Sequence, residues 1–213
     1  IHEFGVVNQD IHPSISLCLG PCDISVSEMV SAYTAFPMKG VRRSPLLVTH
    51  IEDSDGNIVA QFAPRVREVI SEEAAYKMII LMQGVMNGGT GSRMRNRYKI
   101  MADMGGKTGT TNDNSDGWFI GYTPTLSFGA WVGGDERDIH FASMALGQGA
   151  NSALPIVANF LNKVYADNTL GYSPEDKFDI PPGFDPCANV YGEGKEGEIL
   201  EGVEQVGLDE MAN

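Results

Sequence analysis

The residues best suited to chemistry lie together in Lys107-Thr108-Gly109-Thr110-Thr111, directly after Gly105-Gly106. Lys107 is a cation flanked by small hydroxyl side chains. In an extended strand, alternation puts Lys107 and Gly109 on one side and Thr108 and Thr110 on the other. On an edge strand all four can border a groove, because backbone N–H and C=O groups face it too. Such an edge can hold an extended peptide by strand addition. A cation with hydroxyls can grip a terminal carboxylate through charge-assisted hydrogen bonds. The backbone N–H of Thr110 can supply one half of an oxyanion hole. Gly109 leaves space for close approach.

The surrounding sequence predicts how this stretch is held. Asp116-Gly117-Trp118-Phe119-Ile120-Gly121-Tyr122 is aromatic and β-branched and ends at the turn signal Thr123-Pro124, and residues 126–132 form another strand. Three strands so close in sequence imply an antiparallel meander. Ser71 opens a helix with Glu72 and Glu73 in its first turn, where the helix dipole favours acids. Ala75, Met78, Ile79, Met82, Val85 and Met86 give its apolar stripe, and Asn87-Gly88-Gly89 stops it. Ser25-Val26-Ser27-Glu28 reads as a capping box. The helix behind it carries a stripe of Val26, Met29, Val30, Ala32 and Tyr33 through Phe36, and Pro37 and Gly40 end it. Between these helices, residues 46–51 and 58–62 read as a hairpin about the turn Asp53-Ser54-Asp55-Gly56-Asn57. Gly147-Gln148-Gly149-Ala150 reads as a flexible loop. A last helix opens at Leu154-Pro155, with Ile156, Val157, Phe160, Leu161 and Val164 on its buried face.

The Lys-Thr-Gly-Thr-Thr run resembles the third motif of penicillin-binding transpeptidases and serine β-lactamases. Its neighbours sharpen that likeness toward the bifunctional class A penicillin-binding proteins. They are Gly89-Thr90-Gly91, the Trp118–Pro124 run and Trp131-Val132-Gly133-Gly134-Asp135, with Leu19-Gly20, Asp23-Ile24-Ser25, Glu28-Met29 and Ala32-Tyr33-Thr34-Ala35-Phe36 upstream. The resemblance covers residues 4–166. It implies an α+β fold, an antiparallel sheet flanked by helices of the β-lactamase/transpeptidase type, incomplete at its N-terminus. It also implies that residues 4–7 leave a helix.

The resemblance further implies acyl transfer from D-Ala-D-Ala stem peptides through a serine acyl-enzyme. Lys107 would be catalytic, the Thr110 amide would stabilise the oxyanion, and Thr108, Gly109 and Thr110 would bind substrate. Yet no lysine here has a serine three residues before it, and no asparagine has one two residues before it. The S-x-x-K nucleophile and its S-x-N companion are therefore absent from this chain. The expectation is a piece of a D,D-transpeptidase, inactive alone. Its partners would be stem peptides, β-lactams, and a missing N-terminal transpeptidase segment with a glycosyltransferase domain. It would lie outside the cytoplasm, membrane-bound only through the absent N-terminus. The alternatives are a serine β-lactamase or D,D-carboxypeptidase relative, and a non-catalytic stem-peptide or partner-binding module.

Composition sets the remaining bounds. A 213-residue chain with 42% hydrophobic residues suits one domain, or a large part of one, with a proper core. The net charge is −13, of which residues 175–213 carry −9, from eleven acids and two lysines. Such acidity argues against nucleic-acid binding through phosphates. The cluster Arg93, Arg95, Arg97 and Lys99 reads as a solvated or carboxylate-facing face. The expected division is a folded portion over 1–172 and an acidic tail over 173–213, extended and mostly disordered, with residues 178–186 partly docked. Cys18, Cys22 and Cys187 make no disulfide framework: Cys18 and Cys22 could pair in an oxidising compartment, but the expectation is Cys18 in the core and Cys22 in a turn. The four histidines are scattered without metal spacing, and no cofactor or metal is expected. No apolar run reaches membrane-spanning length.

Overall fold

The computed structural model describes residues 1–186 apart from Gln9 and Arg137. One compact unit spans Ile1–Pro182. The expected tail beyond residue 186, with Cys187, lies outside the described residues.

At the centre is the meander: β5 (Gly105–Thr110), β6 (Asp116–Tyr122) and β7 (Ser127–Gly133), antiparallel in the order β5-β6-β7. Lys107 opposes Ile120, Gly109 opposes Trp118, and Phe119 opposes Ala130. The sheet is covered on both faces, and alternation sorts its side chains between them. Phe119, Phe128 and Ala130 face α5 (Ala153–Ala166) and join Leu154, Val157 and Leu161 in the main core. Ile120 and Gly129 face α1 (Val26–Tyr33): a Cβ at Gly129 would overlap Ile120 and lie 2.9 Å from Val30. Gly129 thus lets that helix lie close to the sheet.

The helix α2 (Glu72–Asn87) covers the edge of β5 only at its first residues, Gly105 and Gly106, and leaves Lys107 and Thr110 exposed beyond it. Gly105 and Gly106 point to opposite faces, yet added Cβ atoms would lie 3.1 Å from the Met82 Cβ and 3.3 Å from the Met86 sulfur. Only an element lying along the edge touches both. The helix begins as expected, with Ser71 accepting from the Ala74 amide at 3.2 Å. The Ser25 capping box is also formed: Ser25 Oγ accepts from the Glu28 amide at 3.2 Å, and Glu28 returns to the Ser25 amide at 2.9 Å.

Several expectations are corrected. The strands are shorter than expected: β2 (His50–Glu52) pairs with β3 (Ile58–Gln61), the Phe62 amide still donates to the Thr49 carbonyl at 2.8 Å, and residues 46–48 stay outside the hairpin. A further pair, β1 (Val41–Arg43) with β4 (Val66–Glu68), has no alternating apolar pattern to announce it. Ile156 and Phe160 of α5 are about half exposed, and Ala153, Leu154 and Ala158 take their places in the core. Residues 15–19 form an exposed 3-10 turn in which Ile15 is 96% accessible. Cys18 is therefore exposed, not a core residue, and its thiol donates to the Ile15 carbonyl at 3.0 Å. Burial and the nearby Asp23 carboxylate push the Cys22 thiol up.

Two short helices also went unread, α3 (Arg93–Asn96) and α4 (Met144–Gly147). The segment 173–182 packs on the folded unit. Phe178 stands edge-on to Tyr122, ring centroids 5.9 Å apart. Asp176 accepts from the Thr125 hydroxyl at 3.1 Å, and Lys39 joins Glu72 and Asp179.

Candidate active site on the Lys107 edge

The strand β5 is an outer strand, so half of its backbone groups face away from the sheet. The Thr111 amide donates to the Asp116 carbonyl at 3.2 Å, which directs residue 111 toward β6. In an antiparallel ladder this direction alternates. Residues 105, 107 and 109 therefore bond to β6, while Thr108 and Thr110 turn N–H and C=O toward the open edge. The Thr110 amide thus points out of the sheet at this edge.

Lys107 is exposed and bends to this same edge, donating from Nζ to the outward Thr108 carbonyl at 2.6 Å. Thr110 is exposed beside it, and its Oγ1 accepts from the Gly149 amide at 3.1 Å. Thr108 is only 8% accessible, and its hydroxyl is paired with that of Thr90 at 2.6 Å. The hydroxyl pair still has one proton to offer a third group. At Gly109 an added Cβ would sit 3.2 Å from the Trp118 Cβ, so part of the need for glycine comes from the sheet itself.

Supporting residues arrive from three places. Thr90 follows the end of α2. Arg93 opens α3 and donates to the Ala150 carbonyl at 3.2 Å. Arg95 bonds the Asn87 side chain at 2.9 Å and the Ala102 carbonyl at 3.4 Å, while Arg97 lies over the Tyr98 ring at 5.6 Å. The arginine cluster read as a solvated face is in part built into the fold. Gly149 crosses the sheet so closely that a Cβ would overlap the Trp118 carbonyl oxygen and lie 2.5 Å from that of Gly109. Neither Arg93 nor Gly149 was read as part of the site. The only early signal was Gly89-Thr90-Gly91. Among the described residues no group of three or more His, Cys, Asp and Glu is placed to hold a metal.

One cleft of the unit, lined by Phe36, Lys39, Tyr76, Ile79 and Phe178, lies at the Gly105–Tyr122 end of the sheet. Another lies among residues 8–23. Neither includes Lys107, Thr108 or Thr110.

The family model of the penicillin-binding protein transpeptidase domain matches residues 5–165. The chain belongs to this family. It is similar to penicillin-binding protein 1A of Aquifex aeolicus, 31% identical over 173 residues, covering 81% of this chain and 22% of that protein. Penicillin-binding protein 1A of Neisseria meningitidis serogroup A is 32% identical over 169 residues, covering 76% of this chain and 20% of that protein. The chain thus spans about a fifth of the length of these penicillin-binding relatives. The crystal structure of penicillin-binding protein 1A from Haemophilus influenzae shares the fold. Its TM-score is 0.72 at 23% identity, over 85% of this chain and 31% of that one. The α+β architecture expected from the Lys-Thr-Gly motif and its neighbours is that of penicillin-binding transpeptidase domains.

Proposed function

We propose that this chain forms the Lys-Thr-Gly wall of a peptidoglycan D,D-transpeptidase site whose serine nucleophile lies on polypeptide outside these 213 residues. The observation that carries the reading is the edge of β5, where Lys107 Nζ sits on the outward Thr108 carbonyl and the exposed Thr110 turns its amide outward, in a chain of this family. In this reading the donor peptide lies along β5 as an added strand. Thr110, with the Thr108–Thr90 pair, receives its terminal carboxylate, and Lys107 supplies the positive field. The serine attacks the penultimate D-Ala carbonyl, the Thr110 amide stabilises the oxyanion, and terminal D-Ala leaves as the amine. A second stem's amine then resolves the ester. A β-lactam acylates the same serine and stays. The parent acts outside the cytoplasm, carries a glycosyltransferase domain and is held at the membrane by a segment not in this chain.

The test is labelling by fluorescent penicillin. A full-length protein with an intact S-x-x-K should be labelled covalently, and the 213-residue chain should not. An unlabelled full-length protein with that motif intact would refute the assignment. One sequence observation favours a second reading for the chain taken alone: with no S-x-x-K, it is a module that binds stem peptides without turning them over. Muropeptide binding without release of D-Ala by the full-length protein would support it.

A further inference from the structure

The Thr110 hydroxyl is held from behind. The Gly149 amide donates to Thr110 Oγ1 at 3.1 Å, occupying one lone pair. The next carbonyl, that of Ala150, accepts from the Arg93 guanidinium at 3.2 Å. Gly149 itself fits against the Gly109 and Trp118 carbonyls only because it has no side chain. A short segment between α4 and α5 is therefore pinned at two successive residues, by the sheet on one side and by an arginine on the other.

We infer that Arg93 and Gly149 are positioning residues that set the Thr110 hydroxyl as a donor toward a bound carboxylate. This rests on the reading of Thr110 as a carboxylate-binding residue. The chemistry is simple. A hydroxyl that accepts from an amide behind it keeps its proton for the group in front. The amide bond also polarises that O–H, which strengthens its bond to an anion. Arg93 acts at a distance, by fixing the carbonyl that follows Gly149. Its charge is not required to touch substrate.

The experiment measures acylation of the full-length protein by a fluorescent penicillin and by the methyl ester of the same compound, which lacks the carboxylate charge. Unchanged protein should favour the acid clearly. Arg93→Ala should weaken the saturation constant for the acid by about tenfold, the scale of one lost hydrogen bond to a charged group, with the maximal acylation rate and the ester little changed. Arg93→Lys keeps a donor for the Ala150 carbonyl and should restore most of the preference. If Arg93→Ala does not accumulate as folded protein, Arg93→Met serves: it keeps most of the side-chain length without a donor for the Ala150 carbonyl, and should lose the same acid-over-ester preference. Equal losses on acid and ester in either variant would overturn the inference while leaving the carboxylate site standing. Unchanged protein that fails to distinguish acid from ester would overturn the carboxylate reading, and the inference with it.

Discussion

At the residue scale, exposure decides what each substitution reports. Lys107 is exposed on the edge, and its ammonium donates to a neighbouring carbonyl. Lys107→Ala in the full-length protein should cost little stability, within about 0.5 kcal/mol. Its acylation by fluorescent penicillin should fall by roughly 10²-fold or more, the range of a lost group in proton transfer. A melting shift without an activity loss would remove Lys107 from the site. Gly40 is the opposite case. Its φ is +91°, and a Cβ would overlap the Ile70 carbonyl oxygen. Gly40→Ala should destabilise the chain by about 2 kcal/mol or more, read as a lower urea midpoint with an unchanged slope. The exposed Lys107 and the outward Thr110 amide follow from an edge strand and its alternation, and so were legible. The burial of Thr108 was not, because its partner Thr90 lies eighteen residues earlier in the chain. Nor was the Gly149 bond, which joins residues 39 positions apart.

At the element scale, local signals proved readable where the reason was local. The caps at Ser25 and Ser71 depend on residues three apart, and both formed. The pair β1 and β4 joins Val-Arg-Arg to Val-Arg-Glu across more than twenty residues, and no window on the sequence contains both. The exposure of residues 15–19 also escaped notice, since an apolar run reads as core wherever its neighbours are unknown. The Ser25 capping box makes two predictions. Ser25→Ala should cost about 1 kcal/mol. Glu28 is held below the usual carboxylate range, first by the Ser25 hydroxyl and then by the Val7 and Ser25 amides. A lowered folded-state pKa gives stability that is present above the ordinary carboxylate range and lost as the pH falls through it. The chain should therefore lose part of its stability below about pH 4.3. Glu28→Gln should flatten that part of the curve. An unchanged acid limb would show that the box adds nothing to the pH dependence.

At the scale of the whole unit, the chain returns after α5 to close the far end of the sheet. Phe178 packs beside Phe36, Ile79 and Tyr122, and its amide donates to Asp103, the residue two before β5 begins. Asp103 also accepts from Gln83 of α2 at 2.5 Å. The segment therefore ties the start of β5 to the helix along its edge. Two contacts compete as the main source of that docking, and their magnitudes separate them. The bridge from Asp179 to Lys39 is 3.4 Å long between exposed groups, and such pairs contribute between nothing and about 1 kcal/mol. Phe178 is half-buried in an aromatic cluster, and losing a fully buried phenylalanine costs about 3–5 kcal/mol, so about half of that applies here. Phe178→Ala should lower stability in urea by roughly 2 kcal/mol, whereas Asp179→Ala should change it by less than about 0.5 kcal/mol. The reverse ranking would mean that charge, not the aromatic cluster, holds the returning segment. If Phe178 does fix the start of β5, Phe178→Ala should also speed amide hydrogen exchange at residues 105–107 relative to β7, because local opening would begin where the clasp was removed.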